Sequence, residues 1–182
     1  MVELSGVSFG YQSDKNVLDN LNLRMEEGRF YGLLGMNGSG KTTLLKLIAG
    51  KLFAHGGEIY VDGRNLRERD VETLQKVFML PADFIFPNMS LEQFLAIYSE
   101  FYPEFRKEVL NDCLVNFEIQ RDIKNLNQLS LGEKHKVAFS IALSLGTKIV
   151  LLDEAANGMD IPARKMFRKL LMKHVREDQI VV

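Results

Sequence analysis

Along the first 25 residues apolar side chains alternate with polar ones, as at Val2 and Leu4 and later at Leu21, Leu23 and Met25. That is the period of a half-exposed antiparallel strand, so the chain opens β-rich. Phe30-Tyr31-Gly32-Leu33-Leu34 breaks the alternation with a continuous apolar run, which suits a strand covered on both faces, and residues 42–49 then read as a helix stopped by Gly50. Ile59-Tyr60-Val61 before Asp62-Gly63 predicts a strand and a tight turn, and Val77-Phe78-Met79-Leu80 a short buried strand. From about residue 90 to 145 the period becomes helical. Ser90 with Gln93 and Ser130 with Glu133 predict capping boxes, and Pro103 a first helical position. Ile149-Val150-Leu151-Leu152 is a second doubly covered strand, ending in Asp153 and Glu154. Asp160 predicts the cap of a helix with Met166, Phe167, Leu170 and Leu171 on one face, and residues 179–182 begin another apolar strand, whose continuation we expect beyond Val182. The pattern predicts an α/β fold with an N-terminal antiparallel β subdomain and an inserted helical subdomain at about 85–147.

Composition narrows the class. At 182 residues the chain fits one domain with an insert, and 46% apolar with 26% charged residues is ordinary for a globular core. The formal net charge is -1, so no global basic field draws nucleic acid, and phosphate chemistry here has to be local. No window reaches the roughly 18 apolar residues that span a bilayer, which excludes direct membrane insertion. A single cysteine, Cys113, makes no internal disulfide, and Met1-Val2-Glu3 opens without a leader pattern, so the cytosolic side is expected. Cys113 lies at helical spacing among Leu110, Leu114 and Phe117 and reads as a core thiol.

The chemistry starts at Gly35-Met36-Asn37-Gly38-Ser39-Gly40-Lys41-Thr42, which satisfies G-x-x-x-x-G-K-[ST] directly after an apolar strand and at the start of a helix. Gly35, Gly38 and Gly40 let backbone N–H groups turn onto a polyphosphate, and the helix N-terminus adds partial positive charge. Lys41 neutralises β and γ oxygens, and Thr42 offers a hydroxyl to Mg²⁺. Asp153, at the end of a buried strand, is the matching metal candidate. Glu154, one residue on, is placed to accept a proton from an attacking water.

These two motifs flank Leu129-Ser130-Leu131-Gly132-Glu133, which resembles the LSGGQ-like signature of ATP-binding cassette (ABC) ATPases. The resemblance covers nearly the whole chain. It implies ATP and Mg²⁺ as cofactors, with Gly35, Asn37, Gly38, Ser39, Gly40, Lys41, Thr42 and Thr43 around the phosphates, and with Lys41 and Glu154 catalytic. Tyr11 falls where the family stacks an aromatic ring on adenine, and Asn157-Gly158-Met159-Asp160 looks like its D-loop. Ser130 and Gly132 open a helix whose N–H groups can hold a γ-phosphate; in the family that phosphate belongs to ATP on an opposing subunit. The implied assembly is a head-to-tail dimer of ATPase subunits, identical or different. It would close on two Mg-ATP to drive a transmembrane permease, and the domain would sit peripherally on the inner face of the membrane. The short signature and Phe101-Tyr102-Pro103-Glu104-Phe105 look similar to bacterial drug or antibiotic exporters.

Several positions depart from the family pattern. Leu131 replaces a signature Gly, Glu133 its Gln, and Ala155-Ala156 a common Pro-Thr. Ala82 stands where the family places a Mg²⁺-reaching Gln; a methyl cannot bind a cation, and Asp83 is the adjacent oxygen donor. The family's switch His falls after Val182, and His55, His135 and His174 do not match it. Phe84-Ile85-Phe86-Pro87 and Phe101-Tyr102 read as subdomain core, although an exposed aromatic patch there would mark a permease contact. Two rival functions remain at this point: a nucleotide-binding regulatory module with little hydrolysis, and a soluble ABC ATPase outside transport.

Overall fold

The computed structural model describes residues 1–12 and 15–182. β1 (Val2–Phe9) pairs antiparallel with β2 (Leu18–Met25) on one side and β4 (Gly56–Val61) on the other, and β4 continues through the Asp62-Gly63 turn into β5 (Arg64–Asn65). In β1 the alternation of the sequence becomes burial, with Val2, Leu4, Val7 and Phe9 in the core. The step from Leu4 to Val7 crosses an irregularity in both pairings. There the backbones of Gly6 and Gly57 meet so closely that a Cβ on Gly57 would lie 2.4 Å from Gly6 carbonyl atoms.

A second sheet has the order β3-β8-β7-β6, built from β3 (Arg29–Phe30), β8 (Ile180–Val181), β7 (Ile149–Leu152) and β6 (Val77–Leu80). β8 runs parallel to both of its neighbours. Leu44, Leu45, Leu47 and Ile48 of α1 (Lys41–Ile48) join side chains from both sheets in one core cluster. The apolar run at 30–34 behaves differently from its sequence expectation. Strand pairing ends at Phe30, and Phe30 and Leu34 are 47% and 97% exposed. β3 is an edge strand, bonded to β8 alone, and the run after it is covered on one face: Tyr31 and Leu33 are half-buried against the core cluster while Phe30 and Leu34 face outward.

The chain divides into two units: Met1–Met79, Lys148–Asp153 and Glu177–Val182 form the first, and Leu80–Thr147 with Glu154–Arg176 the second. The second is helical, with α3 (Leu91–Phe101), α4 (Lys107–Asn116), α5 (Leu131–Ser144) and α6 (Ile161–His174). Both capping boxes form, at Ser90/Gln93 and Ser130/Glu133, and Asp160 caps α6 through Ala163 N–H. On α6, Phe167 and Leu170 are buried and Met166 and Leu171 half-buried, as their shared face requires. Rings of Phe117, Phe139 and Phe167 pack in sequence, as do Phe84, Phe86, Phe94 and Tyr98. The aromatic segments split between core and surface: Phe86 is buried, while Ile85 and Phe101 are exposed. Cys113 is a core thiol, its pKa pushed up to about 12 by burial, with the Asp112 charge adding to the effect.

Pro103 does not open a helix. It lies in the turn between α3 and α4, and the position before α4 belongs to Arg106. Arg106 donates to the carbonyls of Leu143 at 3.1 Å and His174 at 3.2 Å, near the C-terminal ends of α5 and α6. A guanidinium satisfying two helix ends sets where α4 begins, a tertiary constraint that outweighs proline's local preference.

Candidate functional site

Gly40 is the N-cap of α1, with φ 92° and no side chain capping the first turn, which also contains no acid. A Cβ on Gly40 would meet Val17 Cγ1 at 3.0 Å, so glycine is required both for the left-handed backbone and for the close approach. The loop before it is exposed from Leu34 to Ser39. Lys41 folds back over that loop, its ammonium donating to the carbonyls of Gly35 at 2.8 Å and Met36 at 2.9 Å. A helix N-terminus and a lysine charge therefore converge on one glycine-rich turn.

The deciding contact comes from the far end of the sequence. Thr42 hydroxyl lies 2.8 Å from one carboxylate oxygen of Asp153 and 3.1 Å from the other, joining residues 111 positions apart. Asp153 is 6% exposed, held at the end of buried β7. A hydroxyl beside a desolvated carboxylate is a hard-oxygen donor pair, the set that suits Mg²⁺. Among the described residues there is no cluster of three or more His, Cys, Asp or Glu, so Thr42 and Asp153 would be the protein donors, with phosphate and water completing the shell.

Tyr11 is 62% exposed. Its hydroxyl is 3.2 Å from Thr43 Oγ1, and its ring stands edge-on to Phe9 at 5.1 Å, which fixes the side chain and leaves ring surface for stacking.

In the second unit, Ser130 N–H and Oγ–H both donate to Glu133 Oε2, at 2.9 and 2.6 Å. The hydroxyl first, and the backbone N–H after it, hold the Glu133 carboxyl below its usual range. Gly132 lies against the 154–160 turn, where a Cβ would be 3.5 Å from Gly158 O. Glu154 is exposed, with φ 52°, and Asn157 Nδ2 donates to its Oε2 at 2.5 Å. The sequence places Asn157 in the D-loop resemblance but carries no signal for this bond between side chains three residues apart. Ala82 and Asp83 are exposed in the turn after β6, His55 is exposed, and His174 pairs with Asp112 at 2.6 Å.

The profile of the ABC transporter family matches residues 18–157. The chain belongs to the ABC transporter family. Over 177 residues it is 30% identical to the ABC transporter ATP-binding protein YtrB of Bacillus subtilis, which covers 97% of this chain and 60% of that protein. The chain thus spans about three fifths of the length of that curated relative. A putative ABC transporter ATP-binding protein of Pyrococcus furiosus superposes with TM-score 0.82 at 29% identity, over 99% of this chain and 89% of that one. An ATP-binding cassette solved as a dimer in a post-hydrolysis state, with ADP and Pi, superposes with TM-score 0.84 at 26% identity, over 100% and 86%. The fold is that of the family's ATPase domain: a P-loop α/β core with an antiparallel β subdomain and a helical subdomain. Among the described residues no helix is long and apolar enough to cross a membrane.

Proposed function

We propose that residues 1–182 form an ABC ATPase domain that binds Mg-ATP, pairs head-to-tail with a second ATPase subunit, hydrolyses ATP and drives a membrane permease in the direction of export. The observation that carries this reading is the contact of Thr42 with Asp153, because it joins the glycine loop and the distant acid in one site. Lys41 and the N–H groups around 35–43 bind the phosphates, and Tyr11 stacks on the base. Mg²⁺, when bound between Thr42 and Asp153, supplies charge neutralisation for the phosphate oxygens. Glu154 holds the proton of the attacking water, and Ser130 and Gly132 face the γ-phosphate on the opposing subunit. The family resemblance supports the permease and the location on the inner membrane face. The form of the signature and residues 101–105 support export.

A regulatory module with weak turnover is the second reading, favoured by Ala82, which offers no ligand atom. Glu154→Gln in the full-length native protein separates the two. We expect ATP binding to persist, turnover to fall by about 10²–10⁴-fold, and a dimer to accumulate with ATP in light scattering. Turnover equal to that of the unsubstituted protein would remove Glu154 from the mechanism.

A further inference from the structure

We infer that Asn157 is a positioning residue that aims the Glu154 carboxylate, an inference that rests on the reading of Glu154 as general base. Glu154 is exposed and lies in a left-handed backbone conformation, φ 52°, unusual for a residue with a side chain. An exposed glutamate in water samples many rotamers, and a base works only when its oxygen is within hydrogen-bond reach of the proton it takes. Asn157 restricts that freedom twice. Its backbone N–H donates to Glu154 O at 2.8 Å, closing the turn, and its side-chain amide donates to Glu154 Oε2.

The amide is itself on a fixed frame. Ala155 and Met159, on either side of it, are buried, Asp160 caps α6 through Ala163 N–H, and Arg164 Nε donates to Met159 O at 2.9 Å. The next residue, Gly158, lies against Leu131 and His135 in the opening turns of α5, where an added Cβ would meet them at 3.5–3.6 Å. Anchored so, Asn157 occupies Oε2 and leaves Oε1 to the reaction. A water O–H bond breaks with its proton passing to Oε1, while the water oxygen bonds to the γ-phosphorus. The bond from that phosphorus to the β–γ bridging oxygen breaks, and its electron pair leaves with ADP. The products are ADP and inorganic phosphate.

The test is kinetic and uses the full-length native protein. Asn157→Ala should lower kcat roughly five- to ten-fold while equilibrium ATP affinity stays unchanged, since the amide touches the base and not the nucleotide. Asn157→Asp, the same shape with the donor replaced by a negative oxygen, should lower kcat further than Ala does. In a Glu154→Gln background, Asn157→Ala should cost nothing more, the non-additivity expected of two groups acting as one. A structural role would lower kcat in both backgrounds and move the thermal midpoint. If Glu154→Gln retains turnover, the reading of the base fails. If it loses turnover while Asn157→Ala keeps it, only the positioning role fails. An activity-independent readout is the Asn157 side-chain amide resonance, which should shift on Glu154→Ala; an unmoved resonance would overturn the contact and the inference with it.

Discussion

Two apolar runs of nearly equal length lead into the chemistry, and they end in opposite situations. Ile149-Val150-Leu151-Leu152 lies between β8 and β6; its first three residues are fully buried, and Asp153 follows at 6% exposure. Tyr31-Gly32-Leu33-Leu34 continues an edge strand, with Leu34 at 97% exposure and the glycine loop open behind it. The difference is one of neighbours rather than of hydrophobicity. An apolar run says what a strand can be covered by; strand order decides whether the cover is there. Asp153 is thus held by a packed sheet, whereas the glycine loop is held chiefly by α1 behind it and by Lys41 reaching back to the loop carbonyls.

The largest test of this contrast pairs Leu151→Ala with Leu34→Ala. The first removes buried methyl groups from the centre of a sheet and should cost about 2–5 kcal/mol in denaturant unfolding; the second should stay within about 0.5 kcal/mol. Equal costs would mean that the run at 31–34 is covered in solution.

The two runs are tied together at their starts by charge, and here the expected effect is smaller. Lys148, just before β7, donates to Asp62 at 3.1 Å and pairs with Glu27, just before β3, at 2.7 Å; Lys76 and the Met1 ammonium also reach Asp62. Burial alone would raise the Asp62 pKa, but hydrogen bonds from the ammonium, Lys76 and Lys148 outweigh it and hold the carboxyl well below its usual range. A carboxyl depressed in the folded state contributes stability that is complete above its unfolded value, near pH 4, and is lost as the pH falls through the folded value. Asp62→Asn should therefore cost about 2 kcal/mol at neutral pH and flatten the decline of stability below about pH 4. An unchanged acid limb would show that the cluster does not bind the two strands together.

What the sequence made legible follows the same division. Signals that need only local contacts were readable: the glycine loop, both capping boxes, the Asp160 cap, and the alternation in β1. The joining of Thr42 to Asp153 was legible only through paired motifs, since a separation of 111 residues carries no periodic signal. Failures came where distant groups decide a local outcome. The run at 30–34 is covered on one face only, with Tyr31 and Leu33 against the core and Phe30 and Leu34 exposed, and Arg106, bonded to two helix ends, moved the start of α4 past Pro103. Asn157 is readable in the sequence as part of the D-loop resemblance, but its bond to Glu154 is not, because a side-chain bond across a turn is not encoded in hydrophobic pattern.

On the function proposed above, the loop at 35–42 and Asp153 make one Mg-nucleotide site. The most direct measurement is calorimetric titration of ATP with Mg²⁺ and with chelator, on the unsubstituted protein, Lys41→Ala and Asp153→Asn. We predict that Mg²⁺ tightens ATP binding to the unsubstituted protein, that Asp153→Asn binds ATP about equally with and without the metal, and that Lys41→Ala loses affinity in both conditions. Full Mg²⁺ dependence surviving in Asp153→Asn would contradict a site shared by the loop and the acid.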